Sequence, residues 1–545
     1  MKLQNLTYIL IGILCIGLVP RAQAVSPPPQ GGYPNFTTAA GDHALQALTL
    51  GLGNTAVGNF SLFSVTTGNF NTAVGAGALD LNSADSNTAT GAAALLFNTT
   101  GTENTANGTA ALELNSTGSN NTATGAFALF SNTAGSENTA IGVEALKDNT
   151  TGVDNTATGF RALMSNTGVE NTANGSSALQ SNTIGEGNTA IGSQALSLNT
   201  EGSGNTATGG SALFSNITGD FNTASGDEAL FANTTGTQNT ATGAAALTSN
   251  TSGFGNTANG FQALLNNSTG NFNTATGFFA LQSNTTGDIN VATGQQALNH
   301  NTTGDENVAV GASALFNNVT GTDNIAIGFG ALLNNTGSGN VALGTLAGAN
   351  LTTGNSNIVI GNLLGGVAGE ANTMRIGLSQ FRTFISGIRG VTTGNANAIP
   401  VMIDSDGQLG TMSSSRRFKH EIKPMDTASQ AILSLKPVTF NYKSDNTNTP
   451  QFGLIAEEVA EVNPDLVVRD KDGQIYSVRY EAVNAMLLNE FLKEHKTVRE
   501  QGAMIARQQK AIEALTAGLQ KVSAQLEVSK PAPQTVLNDN QTLRP

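Results

Sequence analysis

The side chains with the clearest capacity for chemistry lie together at residues 413–422, where the sequence reads Ser-Ser-Ser-Arg-Arg-Phe-Lys-His-Glu-Ile. A serine hydroxyl is a weak nucleophile that acts in catalysis when a base takes up its proton. This segment places three consecutive hydroxyls beside three cationic side chains and a histidine. Its residue types therefore fit acyl transfer by an activated serine, although a solvated basic linker has the same composition.

Other catalytic constellations are missing from the sequence. The chain has four histidines and one cysteine, Cys15, which argues against the usual zinc sites. No H-E-x-x-H and no G-x-x-x-x-G-K-[ST] motif occurs, and the glycines follow a regular repeat rather than a single phosphate-binding loop. We therefore predict that the chain has no cofactor and no bound metal.

Four motifs in the C-terminal part of the chain occur in a specific order. They are SSRRFKHEI (414–422), FGLIAEEV (452–459), NPDLVV (463–468) and VRY (478–480). Together they resemble the self-cleaving intramolecular chaperone domain of phage tailspikes and tail fibres, an endosialidase-type serine peptidase. The resemblance covers residues 413–500. It implies a domain that nucleates trimer assembly and then acts once, as an autopeptidase, on its own chain.

The resemblance also implies the site residues. The start motif of the family, approximately S-D-x-R-x-K-x-x-I, places its serine at Ser414 and its lysine at Lys419. These two residues would form a Ser–Lys dyad that cuts the bond just before Ser414. The aspartate of the family motif is replaced by Ser415, so Ser413 and Ser415 stay open as alternative nucleophiles. An inactive relic of the domain is the alternative to cleavage.

The dyad has a clear chemical requirement. A lysine can serve as the base only when its pKa is lowered, and burial or neighbouring cations such as Arg416 and Arg417 have that effect. Five residues separate Lys419 from Ser414, which a single turn can bridge. Because folding would have to bury the lysine, cleavage would be coupled to correct assembly.

Most of the chain before this domain repeats one phrase. From residue 54 to residue 361 the pattern N-T-A-x-G-x-x-A-L-x-x-N-T-T-G-x-x recurs every 17 residues, or occasionally 16, and its first glycine runs from Gly58 to Gly361. A repeat this short and glycine-rich favours strands separated by turns over helical hairpins. We predict a mainly β fold with a β-solenoid or β-roll shaft of one coil per repeat. The phrase also resembles the β-roll repeats of trimeric adhesin heads and phage-type fibres, which implies three chains per shaft.

The repeat predicts the role of each position. The Ala-Leu pairs, such as Ala128-Leu129, would form the core, the asparagines a ladder of hydrogen bonds, and the glycines corners with positive φ. The threonine of N-T-A becomes Val308 and Ile325 late in the array, so we expect that position to face inward or to be packed. A disordered spacer and an ice-binding array of Thr-x-Thr are the alternatives, and the second threonine of such an array is not maintained.

The N-terminus has the features of an export signal. Lys2 is followed by an uncharged, mainly apolar run, Leu6–Val19, and by the small-x-small cleavage site Ala22-Gln23-Ala24. We predict a signal peptide at residues 1–24 and a secreted or cell-surface location. Removal of the signal would leave no stable membrane span, and an uncleaved anchor is the alternative.

The charge distribution excludes one class of partner. The net charge is −14, and the acidic excess lies before residue 413. A long acidic segment with few lysines and arginines cannot neutralise phosphates, so we do not expect nucleic acid as a partner.

The parts that flank the repeats divide by composition. Residues 25–53 read as a linker and entry to the repeats, and residues 362–412 as a β connector. Within the connector we predict strands at Phe381–Ile388 and Ile399–Ile403, followed by a hairpin turn at Asp404–Gly407.

The C-terminal part reads as a small α+β domain that ends in a long helix. Residues 484–528 contain heptads with Asn484 at the first a position, and the later a positions are Phe491, Val498, Ile505, Ile512, Leu519 and Leu526. This pattern predicts a coiled coil, or else a single helix packed on its own domain. Residues 529–545 read as a flexible tail.

These observations favour an exported, fibre-like structural protein that forms a homotrimer and whose chaperone domain releases itself before Ser414. A surface adhesin that keeps its C-terminal domain as an anchor or head is the alternative. A depolymerase of surface glycans is a third reading, but the repeats lack a convincing acidic pair. The sequence does not identify the receptor or cell-surface glycan that such a fibre would bind.

Overall fold

The computed structural model describes residues 34–380, 382–386, 388, 394 and 397–529. The chain divides into two units, Met1–Thr383 and Phe384–Pro545. The predicted signal peptide, and all but the first residue of the predicted tail, lie outside the described residues.

The first unit contains one parallel sheet of 21 strands. Each strand consists of the residues Thr-Ala-x of one repeat, or of their counterparts. It pairs in register with the equivalent strand of the next repeat, so that Thr206 lies beside Thr223. The predicted β-solenoid with one coil per repeat is confirmed. Strands β1 to β21 are Thr38–Ala40, Thr55–Val57, Thr72–Val74, Thr88–Thr90, Thr105–Asn107, Thr122–Thr124, Thr139–Ile141, Thr156–Thr158, Thr172–Asn174, Thr189–Ile191, Thr206–Thr208, Thr223–Ser225, Thr240–Thr242, Thr257–Asn259, Thr274–Thr276, Val291–Thr293, Val308–Val310, Ile325–Ile327, Val341–Leu343, Ile358–Ile360 and Met374–Ile376.

The sheet extends beyond the repeat range 54–361 at both ends. Strand β1 precedes that range and pairs with β2, and β21 follows it and pairs with β20. In these outer coils Thr37 and Thr373 replace the asparagine that opens the phrase. The backbone N of Thr373 still donates to Asn357 Oδ1 at 3.1 Å. The fold therefore continues after the sequence pattern has faded.

The core consists of three small or branched side chains per coil. In one coil these are Ala207, Ala212 and Leu213, all fully buried, which confirms the predicted role of the Ala-Leu pair. The threonine position does not face inward, because Thr206 is exposed and Ile325 is 40% exposed, but the alternative, a packed position, agrees with Val308, which is half-buried. Neighbouring residues of a strand point to opposite sides, so the buried alanine turns both of its neighbours outward.

Buried asparagines connect each coil to the next, as predicted. Asn205 Nδ2 donates to Asn188 Oδ1 at 3.1 Å and to Gly219 O at 2.8 Å. Asn205 Oδ1 accepts a hydrogen bond from the backbone N of Asn222 at 2.9 Å. The second asparagine of the phrase forms a parallel ladder, in which Asn216 Nδ2 donates to Asn199 Oδ1 of the preceding coil at 2.7 Å and to Gly219 O of its own repeat at 2.9 Å. Most polar groups inside the described shaft are thus paired between coils, whereas Asp80 Oδ1, Asn149 Oδ1 and Asn318 Oδ1 are buried without a hydrogen-bond partner.

Four positions of a typical coil have a positive φ, and in the coil of β11 these are Gly209, Ser211, Leu213 and Phe221. Gly209 has φ +135°, and a Cβ at this position would lie 2.4 Å from Gly226 O, so only glycine allows the coils to approach this closely. The predicted role of glycine at the corners is confirmed. Leu213 has φ 53°, which is strained for a leucine but directs its side chain into the core.

An ion pair lies at the C-terminal end of the described solenoid core. Arg375 takes the place in β21 that alanine takes in the earlier strands. Its Nη2 atom lies 2.7 Å from Glu370 Oε2, and its Nε atom donates to Glu370 Oε1 at 3.0 Å. The hydrogen bond from Arg375 holds the pKa of Glu370 below its ordinary value.

The connector only partly follows the prediction. Strand β22 (Met402–Ile403) pairs antiparallel with β23 (Leu409–Gly410), and the Asp404–Gly407 turn is confirmed by Gly407 N donating to Asp404 O at 3.1 Å. The strand predicted at Phe381–Ile388 is wrong for its described residues, 382–386 and 388, because no neighbouring strand in the described chain pairs with them. Phe381 and Gly387 lie outside the described residues.

The rest of the second unit is a small α+β domain followed by a long helix, as predicted. Its strands are β24 (Val438–Phe440), β25 (Gln451–Gly453), β26 (Val467–Arg469) and β27 (Ile475–Val478). Its helices are α1 (Ala456–Val462), α2 (Tyr480–Val528) and the 3₁₀ segments Arg416–Phe418, Asp426–Ser434 and Pro464–Leu466; a further 3₁₀ segment, Pro34–Phe36, precedes β1. The buried core consists of Val459, Leu466, Val467, Val478 and Met486.

We expect Asn205→Ala to lower the free energy of unfolding by about 3 kcal/mol, because it leaves the buried Asn222 N without a partner and removes three further hydrogen bonds. Thr206→Ala, one residue along on the outer face, should change it by less than about 0.5 kcal/mol. Urea unfolding followed by circular dichroism measures both. Equal losses in the two variants would contradict the role of the ladder.

Candidate functional site

The predicted site residues lie on a short turn that the sequence forms locally. Residues Arg416–Phe418 make one turn of 3₁₀ helix. Phe418 N donates to Ser415 O, and Lys419 N donates to Arg416 O, both at 3.1 Å. These two bonds bend the chain between Ser414 and Lys419, as the five-residue spacing requires for a dyad.

The side chains of the predicted dyad are open to solvent in the single chain. Ser414 and Lys419 are both exposed, and so are the alternative nucleophiles Ser413 and Ser415. Within residues 397–529, which are described without a gap, no hydrogen bond joins Ser414 Oγ to Lys419 Nζ; the Ser413 hydroxyl accepts from Ser415 N at 3.3 Å. The roles of Ser414 and Lys419 therefore stay predictions.

The segment also presents a concentrated positive charge. The guanidinium carbon of Arg417 lies 4.6 Å from the centre of the Phe418 ring, which holds this cation against an aromatic face. Arg416 and Lys419 are exposed on either side of it. These charges lie within five residues, along the sequence, of the bond before Ser414 that is predicted to be cleaved.

A partly buried polar cluster joins the segment that follows the site to the long helix. The hydroxyl of the fully buried Ser429 donates to the carboxylate of Glu490 and accepts from Asn489 Nδ2 at 2.7 Å. Lys493 Nζ donates to Glu490 Oε1 at 2.6 Å and to Asp426 O at 2.5 Å. These contacts attach the 3₁₀ segment Asp426–Ser434 to α2.

The cluster is a part of the site region that the sequence did not reveal. Glu490 and Lys493 are three residues apart on a helix, a spacing that can be read from the sequence. Their partner Ser429 lies about sixty residues earlier, and only the fold brings it to them. The hydrogen bond from Lys493, followed by that from Ser429, holds the pKa of Glu490 below its ordinary value.

Comparison with protein families identifies this region. Residues 414–468 match the family model described as the chaperone of endosialidase. The chain carries an endosialidase-type chaperone domain. The match begins at Ser414 and ends at Val468 in β26, and the domain follows a β-solenoid shaft, which is the architecture of tailspike- and endosialidase-type proteins. No curated protein and no solved structure in the comparisons matched the chain.

The helix that follows the matched part of the chaperone domain, α2, presents an apolar stripe to solvent. Its first turns contact the domain, where Met486 is buried, but every described residue from Glu494 to Ser529 is exposed. The apolar a and d residues that are more than half exposed are Leu487, Phe491, Val498, Ile505, Ile512, Leu515, Leu519, Val522 and Leu526. Packing on its own domain therefore accounts only for the start of the helix.

Within the described part of the chain, no helix has both the length and the apolar composition needed to cross a membrane.

The charged form of Glu490 stabilises the chaperone domain, because its pKa is lowered in the folded chain. This contribution is complete above the ordinary pKa of a glutamate, ~4.3, and is lost as the pH falls through the lowered folded value. We expect the helical circular dichroism signal to melt at a lower temperature on acidification, and Glu490→Gln to weaken that dependence. Glu494→Gln, one turn further along α2 and exposed, is the control and should leave the dependence unchanged.

Proposed function

We propose that the chain is an exported, fibre-like protein whose C-terminal chaperone brings three copies into register and then cuts itself off before Ser414. The observation that carries the proposal is the order of the parts along the chain. A 21-strand solenoid comes first, and a chaperone-of-endosialidase match that starts at Ser414 follows it.

The shaft needs a source of register because its coils are nearly alike. Thr206 and Thr223 occupy equivalent places on the outer face, and so do the other threonines of that row. Two copies displaced by one coil would present almost the same surface to each other, so a displaced pairing would cost little free energy. A chaperone that joins the copies before their shafts pair would remove this ambiguity.

The long helix α2 is the segment suited to join the copies. Ile505 is 63% exposed and Leu519 71% exposed in the single chain, although both occupy a positions of the heptads. In a coiled coil such residues pack into the facing helices. The chaperone family is associated with trimerisation, and the repeats resemble those of trimeric β-rolls, which together favour three copies.

Assembly would also complete the cleavage site. In the single chain, solvent reaches Lys419 and Ser414. Burial of Lys419 by neighbouring copies would favour its neutral form, which could accept the proton of the Ser414 hydroxyl. Ser414 Oγ would then attack the carbonyl carbon of Ser413, and the peptide C–N bond would break as its nitrogen takes the proton back and becomes the amine of Ser414. One water would hydrolyse the resulting ester, which leaves a carboxylate on Ser413 and restores the Ser414 hydroxyl. General-base assistance of ~10²–10⁴-fold is sufficient for a bond that each chain breaks once.

Export rests on the sequence of residues 1–24, with its basic start, apolar run and small-x-small site. A signal peptide suits a fibre made for a bacterial cell surface, since a virion assembled inside the cell would not need one.

The second candidate is a surface adhesin that keeps its C-terminal domain. Ser415 stands where the family motif has aspartate, and this departure at the predicted site favours a domain that does not cleave. In that case the shaft and the chaperone domain would stay in one chain, as an anchor or a head.

We expect the purified protein to show a fragment of residues 414–545 on a denaturing gel. Ser414→Ala and Lys419→Ala should each abolish this fragment, because they remove the nucleophile and the base. The matched variants Ser413→Ala and Ser415→Ala should still produce it.

If both Ser414→Ala and Lys419→Ala still yield the fragment, the dyad is wrong. If Ser413→Ala or Ser415→Ala alone blocks it, that serine is the nucleophile. A wild-type chain that is uncut and found on the cell surface in a fractionation blot supports the adhesin.

We expect Ile505→Glu with Ile512→Glu to convert the oligomer to single chains, because two charges in the stripe oppose its burial in a coiled coil. Light scattering after size exclusion measures the mass, in a Ser414→Ala background that keeps the helix attached. Ala506→Glu with Ala514→Glu adds the same charges to other faces of α2 and should leave the mass at three chains. A trimer that persists in the stripe variant would show that α2 does not join the copies.

A further inference from the structure

The outer face of the solenoid sheet changes its chemistry along the shaft. From β4 to β15 the first outward residue of each strand is threonine, and the third is threonine, serine or asparagine except at Ile141 and Ile191. From β17 to β21 both outward residues are apolar in every strand. These ten residues, here called the aliphatic face, are Val308, Val310, Ile325, Ile327, Val341, Leu343, Ile358, Ile360, Met374 and Ile376.

Nothing in the described part of the chain covers the aliphatic face. Ile327 is 40% exposed, Leu343 47% and Ile376 65%, although a buried alanine or its counterpart lies between the two columns in four of the five strands. An isolated exposed isoleucine is ordinary on a protein surface, but a contiguous block of ten apolar side chains is not. The block therefore indicates a surface that another molecule covers.

We propose that the aliphatic face is where the shafts of neighbouring copies of this chain contact each other. The ten residues carry no charge, and the one charged side chain in these strands, Arg375, is paired with Glu370. A flat uncharged face of this kind is complementary to another apolar face, which a second copy supplies with the same spacing of ~4.8 Å between strands. Copies related by rotation about an axis along the shaft would match coil to coil.

The size of the face argues for a partner that is held in place elsewhere. Five strands at ~4.8 Å spacing span ~24 Å, and two columns that each occupy ~7 Å of width span ~14 Å, which gives an area on the order of 300 Å². A stable interface buries about 800 Å² from each partner, so this face cannot hold a separate protein by itself. A second copy joined through α2 would supply the missing contact at high effective concentration. In this respect the inference rests on the oligomer that we propose above.

The place of the face in the chain gives it a role in assembly. It occupies the last five coils, which are the part of the sheet nearest in the sequence to the chaperone match that begins at Ser414, with the connector between them. Copies joined through α2 would therefore pair first at aliphatic coils and only then along the polar, threonine-faced coils. The aliphatic coils would carry the register from the chaperone into the shaft.

Cysteine cross-linking in the full chain tests this contact, in a Cys15→Ser background that contains no other cysteine. Ile327→Cys lies on the face, and Leu343→Cys lies one coil further on. Thr320→Cys lies in the repeat before that of Ile327, the one that contains Val308 and Val310, and is exposed, but it belongs to a corner rather than to the sheet. After treatment with a short bis-maleimide, denaturing gels should show at least tenfold more linked chains for Ile327→Cys and Leu343→Cys than for Thr320→Cys.

Light scattering on the same samples separates the possible failures. An oligomer in which Ile327→Cys and Leu343→Cys do not cross-link, or cross-link no more than Thr320→Cys, would overturn the contact and leave the proposed oligomer intact. A mass of one chain would overturn both.

Discussion

The pairing of buried asparagines between coils is the interaction on which the shaft depends. A coil of 17 residues cannot by itself supply hydrogen-bond partners for all of its buried polar groups, and an unpaired buried group costs ~1–3 kcal/mol. In this shaft the side chain of Asn205 bonds the coil before it and the coil after it. Each coil is therefore stable only as a member of the stack, which explains why the phrase is repeated with so little variation.

The same stacking sets the backbone conformation. Gly209 lies so close to the next coil that a Cβ would contact Gly226 O at 2.4 Å. Leu213 adopts φ 53°, a conformation that costs a leucine of the order of 1 kcal/mol, and the burial of its side chain offsets that cost by ~1.5–3 kcal/mol. Strain of this kind persists because the neighbouring coils fix the backbone on both sides. The core is built from small residues for the same reason, since little space remains inside a coil of this size.

The second unit, unlike the shaft, has a small core and a long helix that is mostly exposed. Its buried core has five residues, yet it ends in a helix of 49 residues, which extends for ~74 Å. A small core can support only the first turns of such a helix, where Ser429, Glu490 and Lys493 form their cluster. The exposed apolar stripe beyond them, and the aliphatic face of the last five coils, are two unpaired surfaces in consecutive parts of one chain. We propose that copies of the chain cover both surfaces.

The sequence alone determined the repeat, the solenoid, the buried Ala-Leu pairs, the asparagine ladder and the glycine corners, because each depends on residues at fixed short spacing. It also identified the chaperone domain through motifs whose order is characteristic. Only the tertiary structure decided which side chains of each strand face the core and which face outward. The β-branched residues that replace threonine, such as Ile325, suggested burial, but the alanine beside them fills the interior and turns them outward. The structure alone also placed Ser429 beside Glu490, because these two residues are distant in sequence. It alone extended the sheet past Gly361, because the residues of β21 no longer follow the repeated sequence pattern.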